Sequence, residues 1–293
     1  MSMDVSIIIV SYNVCNLIVK CIQSIYEKVK GVTFEIIVVD NASVDNSVKY
    51  IQEKFSGVKL IVSDTNLGFG KANNRGASKA IGRYLFFLNP DTVLVNDAVT
   101  ELFLFMESHC NVALCGANLF TPDMRPNKSY EMSLHGFVDA FAYVLNIFVP
   151  HNRDVFNINL VPKPVSWVMG ADMFMRRSVF EKIGRFDERY FMYFEELRFS
   201  HEIQKLRLSI YSVPSASIIH YEGASNDKKI LTTYYYFDSF LKYYHDYYSS
   251  IYWMIYYLFR FKIFLGYFKS KLSRNNEKCE YWLKMRMILF KNK

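Results

Sequence analysis

Residues 5–13 have the sequence VSIIIVSYN, which predicts the first strand of the fold. The β-branched run from Val5 to Val10 is typical of a strand that is buried on both of its faces. Polar residues follow it immediately, where a parallel strand would reach its carboxyl end. The sequence also predicts a second buried strand at Phe34–Asp40, a third short strand at Val58–Val62 and a fourth strand at Tyr84–Leu88.

Helical apolar spacing separates these strands. The spacing predicts helices over Cys15–Lys28, Val44–Phe55 and Ala72–Ile81, with Ser43 as the N-cap of the second. Strands that alternate with helices in this way favour a parallel α/β sheet with right-handed crossovers. The segment Phe120–Pro164 is irregular, and regular structure is predicted to return as the strand Val165–Met175, the helix Glu195–Leu206 and the strands Ser209–Val213 and Ala216–His220.

The composition divides the chain into a body and a tail. Of the 293 residues, 51% are hydrophobic and 22% are charged, which suffices for one large α/β domain with an appendage. From Lys228 onward there are 13 Lys and Arg against 4 Asp and Glu, together with 21 of the 50 aromatic residues. We therefore predict a domain over residues 1–226 and a helical, basic and aromatic appendage over residues 227–293.

The tail suits a membrane interface, where aromatic rings lie at the headgroup level and cations meet anionic lipid. The alternative is a helical cap that packs on the body with half-buried tyrosines. No spanning helix is predicted, because the most apolar stretch, Ile251–Phe268, is interrupted by Arg260 and Lys262. Five cysteines without paired metal spacing indicate reduced thiols, so we expect a cytoplasmic protein with peripheral contact at the inner face of the cell membrane.

Three polar clusters follow predicted strands: residues 11–13 (SYN), residues 40–43 (DNAS) and residues 89–91 (NPD). Ligands of open parallel sheets bind beyond the carboxyl ends of the strands, so these clusters are expected to converge on one binding edge. Their alternative role is to form turns and to cap helices. Neither G-x-G-x-x-G nor G-x-x-x-x-G-K-[ST] occurs, which disfavours ordinary dehydrogenases and P-loop enzymes.

Six segments together resemble glycosyltransferase family 2, and in particular its rhamnosyltransferase-like branch. They are SIIIVSYN (6–13), VVDNASVDNS (38–47), NLGFGKANNRG (66–76), LNPDT (88–92), WVMGADMFMRRSVFEKIGRFDERYFMYFEE (167–196) and HYEGAS (220–225). The resemblance covers about residues 4–226. It implies a GT-A fold, that is, a Rossmann-like and mostly parallel sheet flanked by helices.

The resemblance also implies roles for individual residues of the donor site. Asp40 matches the acid that hydrogen-bonds the base or the ribose of the donor. The nucleotide pocket is expected to comprise Ser11, Asn13, Asp40, Asn74 and Asn89. The donor or acceptor sugar is expected beside Trp167, Gly170 and Ala171, since a glycine lets a sugar lie close to the backbone.

Asp91 matches the second acid of the D-x-D element, which holds Mn²⁺ or Mg²⁺ in the family. A hard divalent cation on a carboxylate neutralises the charge that develops on a diphosphate leaving group. Asn89 stands where many members have Asp, so the cation is expected to depend more on the diphosphate and on His220, which matches a histidine of the metal shell. The alternative for His220 is a core histidine satisfied by the backbone.

Glu195 and Glu196 match the Glu-Asp pair of the family, whose second acid usually removes the proton of the acceptor hydroxyl. Glu196 is therefore the expected general base of an inverting transfer, in which the acceptor oxygen attacks the anomeric carbon opposite the diphosphate. Arg198 departs from the pattern, because relatives often have an acid there. The alternative for two adjacent acids is a solvated helix face.

The resemblance nominates dTDP-rhamnose as the donor and leaves UDP-sugars open. The expected acceptor is a glycan or a lipid-linked acceptor of cell-surface polysaccharide synthesis, and the basic, aromatic tail fits a lipid-linked one. No nucleic-acid partner is expected, although aromatic and basic residues interleave in the tail, because nothing in the body supports one.

Three rival functions compete with this one. A sugar-phosphate nucleotidyltransferase would need a glycine-rich, basic loop after the first strand, which residues 11–16 lack. A processive polymerase would need Q-x-x-R-W, whereas residues 204–208 read QKLRL. A non-catalytic GT-A-like protein that binds a nucleotide sugar or a glycan is the alternative that Asn89, Glu196 and Arg198 favour.

Overall fold

Within residues 3–145, 154–222 and 229–291, which the computed structural model describes, the chain forms eleven strands and ten helices. The strands are β1 (Val5–Ser11), β2 (Phe34–Asp40), β3 (Val58–Val62), β4 (Tyr84–Leu88), β5 (Thr92–Leu94), β6 (Val112–Phe120), β7 (Tyr130–Glu131), β8 (Lys163–Pro164), β9 (Trp167–Val168), β10 (Asp172–Arg176) and β11 (Ser209–His220). Nine of these described strands form one sheet in the order β3-β2-β1-β4-β10-β6-β11-β5, with β8 paired to β11. β7 and β9 form a small separate sheet.

Helices alternate with the strands from β1 to β4 and also occur in later parts of the chain. They are α1 (Cys15–Lys28), α2 (Ser47–Lys54), α3 (Phe69–Ala77), α4 (Ala98–Ser108), α5 (Phe137–Leu145), α6 (Arg177–Ile183), α7 (Glu195–Lys205), α8 (Lys229–Tyr247), α9 (Ser249–Leu272) and α10 (Asn276–Lys291). The predicted α/β class, with a sheet flanked by helices, is therefore confirmed.

The first half of the sheet is parallel, as predicted. β1 pairs in parallel with both β2 and β4, and β2 pairs in parallel with β3. The second half is mixed, because β10 runs antiparallel to β4 and β6, and β5 runs antiparallel to β11. The register of β1 and β2 sets Ser11 beside Asp40, so the polar clusters at these two strand ends become neighbours.

Both faces of β1 and β2 are covered, which explains their continuous β-branched sequences. Ile7 faces a core that includes Ile18 of α1, whereas Ile8 faces a second core that includes Ala77 of α3. Gly76 lets α3 pack this closely, since a Cβ at that position would lie 2.6 Å from Ile8 Cγ2.

The prediction that Ser43 caps α2 is wrong. The N-cap residue is Asn46, and its side chain makes no capping hydrogen bond. Ser43 Oγ instead accepts the backbone N–H of Asn13 at 3.0 Å, which joins the loops after β1 and β2. α3 also begins earlier than predicted, at Phe69 and not at Ala72. In both places the chain beyond a strand end is shaped by contacts between loops, which apolar spacing does not report.

Three further differences arise in the second half of the chain. A turn at residues 169–171 divides the predicted strand Val165–Met175 into β9 and β10. The predicted strands Ser209–Val213 and Ala216–His220 are one continuous strand, β11, with an irregular register in its middle. The irregular segment Phe120–Pro164 contains β7, α5 and β8.

The chain divides into two compact units. The first comprises Met1–Leu134, Asn152–Arg189 and Glu195–Asn226, and the second comprises His135–His151, Tyr190–Phe194 and Asp227–Lys293. The predicted boundary between residues 226 and 227 falls within residues 223–228, which lie outside the described residues. The second unit takes in two segments that the sequence analysis assigned to the body.

A buried glutamate joins β1, β2 and β3 near their amino ends. Glu35 Oε1 accepts hydrogen bonds from Ser6 Oγ at 2.6 Å and from the Ile81 N–H at 2.8 Å. Its Oε2 accepts from Lys59 Nζ at 2.6 Å. Burial alone would raise the pKa of the Glu35 carboxyl, but these donors outweigh burial and lower the pKa below its ordinary value.

We predict that Glu35→Gln lowers the free energy of unfolding by about 1–2 kcal/mol at neutral pH, because it removes the charged acceptor of this network. A depressed carboxyl pKa stabilises the fold above the unfolded-state value, and this contribution is lost as the pH falls through the folded-state value. The difference between wild type and variant should therefore shrink as the pH falls below the ordinary glutamate pKa of 4.5 and vanish below the lowered folded-state pKa. Urea titrations across this pH range measure it, with Glu53→Gln on the exposed side of α2 as the control. A difference that is independent of pH would contradict the assignment.

Candidate active site

The carboxyl ends of β1 and β2 carry two buried polar atoms that the protein leaves unsatisfied. Asp40 accepts the Ser43 N–H on Oδ2 at 3.0 Å, whereas its Oδ1 has no hydrogen-bond partner among the described residues. Ser11 Oγ, on the neighbouring strand, is also buried without a partner in that part of the chain. Each such atom costs about 1–3 kcal/mol, so the pair suits a ligand that supplies hydrogen-bonding groups.

Two left-handed residues shape the loops beyond these strands. Asn13 has a φ of 54° and Ala42 has a φ of 67°. Asn13 Oδ1 accepts the Val44 N–H at 2.8 Å, so its side chain links the two loops. A left-handed backbone costs a non-glycine residue on the order of 1–2 kcal/mol, and strain of this kind concentrates at functional sites.

Asn41, which the sequence analysis did not select, ties the following loop to the end of β2. Its Nδ2 donates to Asn66 Oδ1 at 2.8 Å and to the Gly68 carbonyl at 3.2 Å. Its Oδ1 accepts the Leu67 N–H at 2.8 Å. The loop that leads into α3 is thereby held at the same edge of the sheet. The available signal was the position of Asn41 directly after Asp40 in the VVDN motif.

Asn74, a predicted nucleotide-binding residue, lies on α3 with both ends of its amide engaged. Its Nδ2 donates to the Phe186 carbonyl at 2.8 Å, and its Oδ1 accepts the Phe186 N–H at 3.0 Å. Nδ2 also donates to Glu188 Oε1 at 3.2 Å. Asn74 thus holds residues 186–188 against α3, and a hydrogen bond to a nucleotide would have to replace one of these contacts.

Asp91 and His220 meet because β5 and β11 pair at the end of the sheet. The register sets Thr92 opposite His220, and the Tyr221 N–H donates to the Asp91 carbonyl at 2.9 Å. Asp91 Oδ1 lies 3.4 Å from His220 Nε2, and Asn89 Nδ2 lies 3.5 Å from the same nitrogen. A carboxylate, an imidazole and a carboxamide therefore converge at this point.

This cluster fits a divalent cation that also takes oxygen ligands from a bound molecule. Among the described residues, no three His, Cys, Asp or Glu side chains come together as a complete metal site. His220 Nδ1 is buried without a hydrogen bond to any described atom, and Glu222 Oε1 lies 3.8 Å from it. The Asp91 carboxylate suits Mn²⁺ or Mg²⁺, and the remaining positions are those that phosphate oxygens commonly fill. Residues 223–225 of the H-x-x-G-x-S motif lie outside the described residues.

Glu196 lies beside the turn between β9 and β10. A Cβ placed on Gly170 would lie 3.8 Å from Glu196 Oε2. The next residue, Ala171, accepts the Asn89 N–H on its carbonyl at 2.9 Å. The turn at residues 169–171 is therefore in contact with both Glu196 and Asn89. The missing side chain at Gly170 keeps the space beside the carboxylate open.

Burial raises the pKa of the Glu196 carboxyl above the ordinary glutamate value. A hydrogen bond from its own backbone and the positive charge of Lys128 oppose this effect without cancelling it. The side chain remains partly exposed, so a second reactant can still reach it. A carboxylate that holds its proton more tightly is a stronger base near neutral pH.

Trp167, predicted beside the sugar, lies under a lysine. The pairing of β7 with β9 sets Glu131 opposite Trp167, and Lys128 forms an ion pair with Glu131. Lys128 Nζ lies 5.2 Å from the centre of the Trp167 ring, which is only 3% exposed as a residue. Lys128 is thus the polar group at the surface here, and Glu131 is buried beside it. Sequence analysis missed them because they fall in the segment that it described as irregular.

The entry to α7 is strained. Tyr193 and Phe194 both have a φ of 72°, so two consecutive aromatic residues adopt the left-handed conformation directly before Glu195. Glu195 itself is 3% exposed, and its Cγ would lie 3.7 Å from a Cβ on Gly70. Glu195 is therefore an internal residue at the start of the helix, and Glu196 is the acid that faces the open space.

Arg198, where relatives often have an acid, is held by other groups. Its Nε lies 3.5 Å from Asp187 Oδ2, and its guanidinium donates to the Arg185 carbonyl at 3.1 Å. Because these contacts satisfy its charge, Arg198 leaves the Glu196 carboxylate available.

Known proteins resemble this chain in sequence and in fold. The sequence model of glycosyl transferase family 2 matches residues 6–184. The N-acetylglucosaminyl-diphospho-decaprenol L-rhamnosyltransferase of Mycobacterium tuberculosis is 28% identical over 210 residues, which cover 66% of this chain and 68% of that protein. The rhamnosyltransferase WbbL of Escherichia coli is 28% identical over 206 residues, which cover 66% of this chain and 75% of that protein.

Among solved structures, the chain is similar to the mannosyltransferase PcManGT of Pyrobaculum calidifontis in complex with GDP-Man and Mn²⁺. The TM-score is 0.57 at 15% identity, and the match covers 84% of this chain and 64% of that chain. The chain therefore spans slightly less than two thirds of that protein. At this identity the similarity shows a common fold.

We predict that Ser11→Ala leaves the melting temperature of the ligand-free protein unchanged or raises it, because the substitution removes a buried hydroxyl that has no partner. Ser6→Ala is the matched control on the same strand, since Ser6 is equally buried and its Oγ bonds both Glu35 and the Gly82 N–H. The control should lose about 1–2 kcal/mol of stability. Thermal unfolding followed by circular dichroism measures both. Equal losses in the two variants would show that Ser11 is satisfied within the fold.

Proposed function

This chain belongs to glycosyltransferase family 2, and we propose that it transfers a sugar from a nucleoside diphosphate donor to an acceptor hydroxyl with inversion at the anomeric carbon. One observation carries the proposal. The turn at residues 169–171 accepts the Asn89 N–H on the Ala171 carbonyl, and Gly170 of the same turn adjoins Glu196. A leaving-group site and a base so arranged can act on the two ends of a single displacement.

The nucleoside of the donor is proposed to lie at the ends of β1 and β2. The unsatisfied atoms Asp40 Oδ1 and Ser11 Oγ would bind its base or ribose, and Asn13 would help to shape the pocket. From there the diphosphate would extend along the edge of the sheet towards β4 and β5, where Asn89 and Asp91 lie.

Asp91 and His220 are proposed to hold a divalent cation, Mn²⁺ or Mg²⁺, together with the diphosphate. Such a cation, when bound, neutralises the charge of the leaving diphosphate. Asn89 contributes no charge to the pocket, so this chain offers one carboxylate and one imidazole. Affinity for the cation should therefore depend strongly on the nucleotide.

Glu196 is proposed to act as the general base. The acceptor oxygen forms a bond to the anomeric carbon while the bond from that carbon to the diphosphate oxygen breaks. The acceptor proton passes to Glu196, and the nucleoside diphosphate leaves with the electron pair of the broken bond. The raised pKa of Glu196 suits this task, because it brings the basicity of the carboxylate closer to neutral pH.

Rhamnose is proposed as the transferred sugar, with dTDP-rhamnose as the first donor to test and UDP-sugars as the second. Two of the relatives are named as rhamnosyltransferases, and one of them acts on an N-acetylglucosaminyl-diphospho-decaprenol. The acceptor class proposed here is a glycan carried on a lipid diphosphate at the cytoplasmic face of the cell membrane. The positive charge of Lys128 acts on the Glu196 carboxyl, and the same side chain would be able to bind an anionic acceptor.

We predict that Glu196→Gln lowers kcat by about 10²–10⁴-fold and leaves the KM of the donor nearly unchanged, because the amide keeps the size of the side chain and cannot accept the proton. Release of nucleoside diphosphate from dTDP-rhamnose in the presence of acceptor measures it. In the wild type, kcat should fall in acid around an apparent pKa above the ordinary 4.5 of glutamate, because the carboxyl must be ionised to act.

Glu202→Gln, on the same helix, is the control and should retain full activity, since Glu202 pairs with Lys205 on the surface of α7. Equal rates for Glu196→Gln and the wild type would remove Glu196 from the mechanism. A wild type that binds donor and never releases nucleoside diphosphate, with any acceptor, would favour a nucleotide-sugar-binding protein.

We predict that Mn²⁺ and a nucleoside diphosphate together raise the melting temperature and that EDTA abolishes the increase. At a ligand concentration of 100 times Kd the stabilisation should be about 2.7 kcal/mol. The Asp91→Asn variant should lose most of the metal-dependent increase in melting temperature. The substitution removes the only carboxylate among the three residues Asn89, Asp91 and His220. Thermal-shift titrations with dTDP, UDP and GDP measure the effect and rank the bases.

Asp123→Asn, in an exposed loop, is the matched control and should respond to Mn²⁺ like the wild type. A full thermal shift in EDTA would exclude the cation from nucleotide binding. A full shift in Asp91→Asn would place the cation elsewhere.

A further inference from the structure

Helix α9 has an unusual composition for a surface helix. Its 24 residues, Ser249–Leu272, include no Asp or Glu and carry four cations, Arg260, Lys262, Lys269 and Lys271. No described helix is both long enough and apolar enough to cross a membrane. The helix is nevertheless rich in large apolar residues around its whole circumference.

One side of α9 is the packed side. Buried positions recur at helical spacing and include Tyr252, Ile255, Tyr256, Phe259 and Ile263. Phe259 contacts Phe237 of α8 with ring centres 4.2 Å apart, and a Cβ on Gly266 would lie 2.2 Å from the Trp282 ring of α10. α8, α9 and α10 therefore pack tightly through this side, within the second unit.

The other side of α9 is exposed and equally apolar. Eight large apolar residues are each between 42% and 70% exposed: Trp253, Met254, Tyr257, Phe261, Phe264, Leu265, Phe268 and Leu272. At 3.6 residues per turn they fall within an arc of about 120°, opposite the buried positions. We call this set the α9 face. A solvent-exposed helix normally carries polar residues on that side.

The size of the α9 face distinguishes it from ordinary scattered surface residues. Aromatic side chains present about 150–250 Å² each, so eight large residues that are roughly half exposed amount to several hundred Å². This equals or exceeds the largest apolar patch of a typical soluble monomer, and such patches mark interaction sites.

Charge decides which partner fits the α9 face. At 100° per residue, Arg260 and Lys271 lie along one border of the arc and Lys269 lies along the other. Residues from Lys228 onward carry 13 cations against 4 anions. A second copy of the chain would bring the same cations against these borders, whereas an anionic lipid surface would complement them.

We propose that the α9 face docks in the plane of an anionic lipid bilayer. The rings of Trp253, Tyr257 and Phe261 enter the headgroup region, the bordering cations contact lipid phosphates, and the buried side of the helix keeps its packing on α8 and α10. This inference goes beyond the proposed transfer reaction, because it concerns where the protein resides and requires no turnover.

The test is co-sedimentation of the full chain with vesicles of phosphatidylcholine, alone or mixed with phosphatidylglycerol. Binding should appear with the anionic vesicles and weaken as salt rises. The triple variant Phe261→Ser, Phe264→Ser, Phe268→Ser should bind at least tenfold more weakly, because it removes three rings of the α9 face. Serine and phenylalanine have similar helix propensities, so the helix itself should persist.

The matched control is Ile158→Ser, Leu160→Ser, Val161→Ser, which removes three side chains of 63% to 75% exposure from the other unit. It should bind like the wild type. Arg260→Glu with Lys271→Glu should weaken binding to anionic vesicles only, whereas Lys49→Glu with Lys79→Glu should have a smaller effect. Circular dichroism and thermal unfolding show whether each variant is folded.

Three outcomes would overturn the proposal. Equal binding by the wild type and the folded triple serine variant would exclude the α9 face as the docking surface. Absence of binding to anionic vesicles at low salt would exclude the bilayer as its partner. Light scattering that shows a dimer in the wild type and a monomer in the triple variant, without vesicle binding in either, would assign the face to a second copy of the chain.

Discussion

The pairing of β11 with two different neighbours is the constraint on which the candidate site depends. β11 runs parallel to β6 along most of its length and then antiparallel to the short β5 at its end. Only this second pairing brings His220, far along the chain, to the residues that follow β4. A shift of one residue in the β5–β11 register would turn the His220 side chain to the other face of the sheet and leave Asp91 without it. The pairing of β5 with the end of β11 therefore places the imidazole of His220.

Residues of the candidate site lower the stability of the fold at several points along the edge of the sheet. Ser11 and Asp40 each retain a buried polar atom without a partner among the described residues, and Asn13 and Ala42 have a left-handed backbone. Each of these features is unfavourable by itself, and none improves the packing of the sheet. Compensation comes from the opposite ends of the same strands, where Glu35 is fully hydrogen-bonded, and from the β-branched core between the two ends. The strands are thus stabilised at their amino ends and kept open to ligands at their carboxyl ends.

The strands and helices that follow from local periodicity could be predicted from the sequence. β1, β2, β3 and β4 and the helices between them follow from apolar runs and helical spacing, and the polar residues after them follow from the general position of ligands in open sheets. The pairing of strands from distant parts of the chain could not be predicted from the sequence. The two-residue strands β7 and β9 are too short to show a period, so the position of Lys128 over Trp167 was beyond prediction. Likewise, Ser43 has the composition of a helix cap, and only the contact with Asn13 reveals its other role.

The left-handed backbone at Tyr193 and Phe194 has a consequence for protein engineering. Glycine adopts this conformation without strain, so a screen that rewards heat resistance alone would favour glycine at the half-buried Tyr193. At Phe194 the buried ring contributes more to stability than the backbone strain costs. Glycine would also free the chain just before Glu195, and the direction in which Glu196 points would no longer be fixed by its neighbours. At Tyr193, selection for durability and selection for turnover would favour different amino acids.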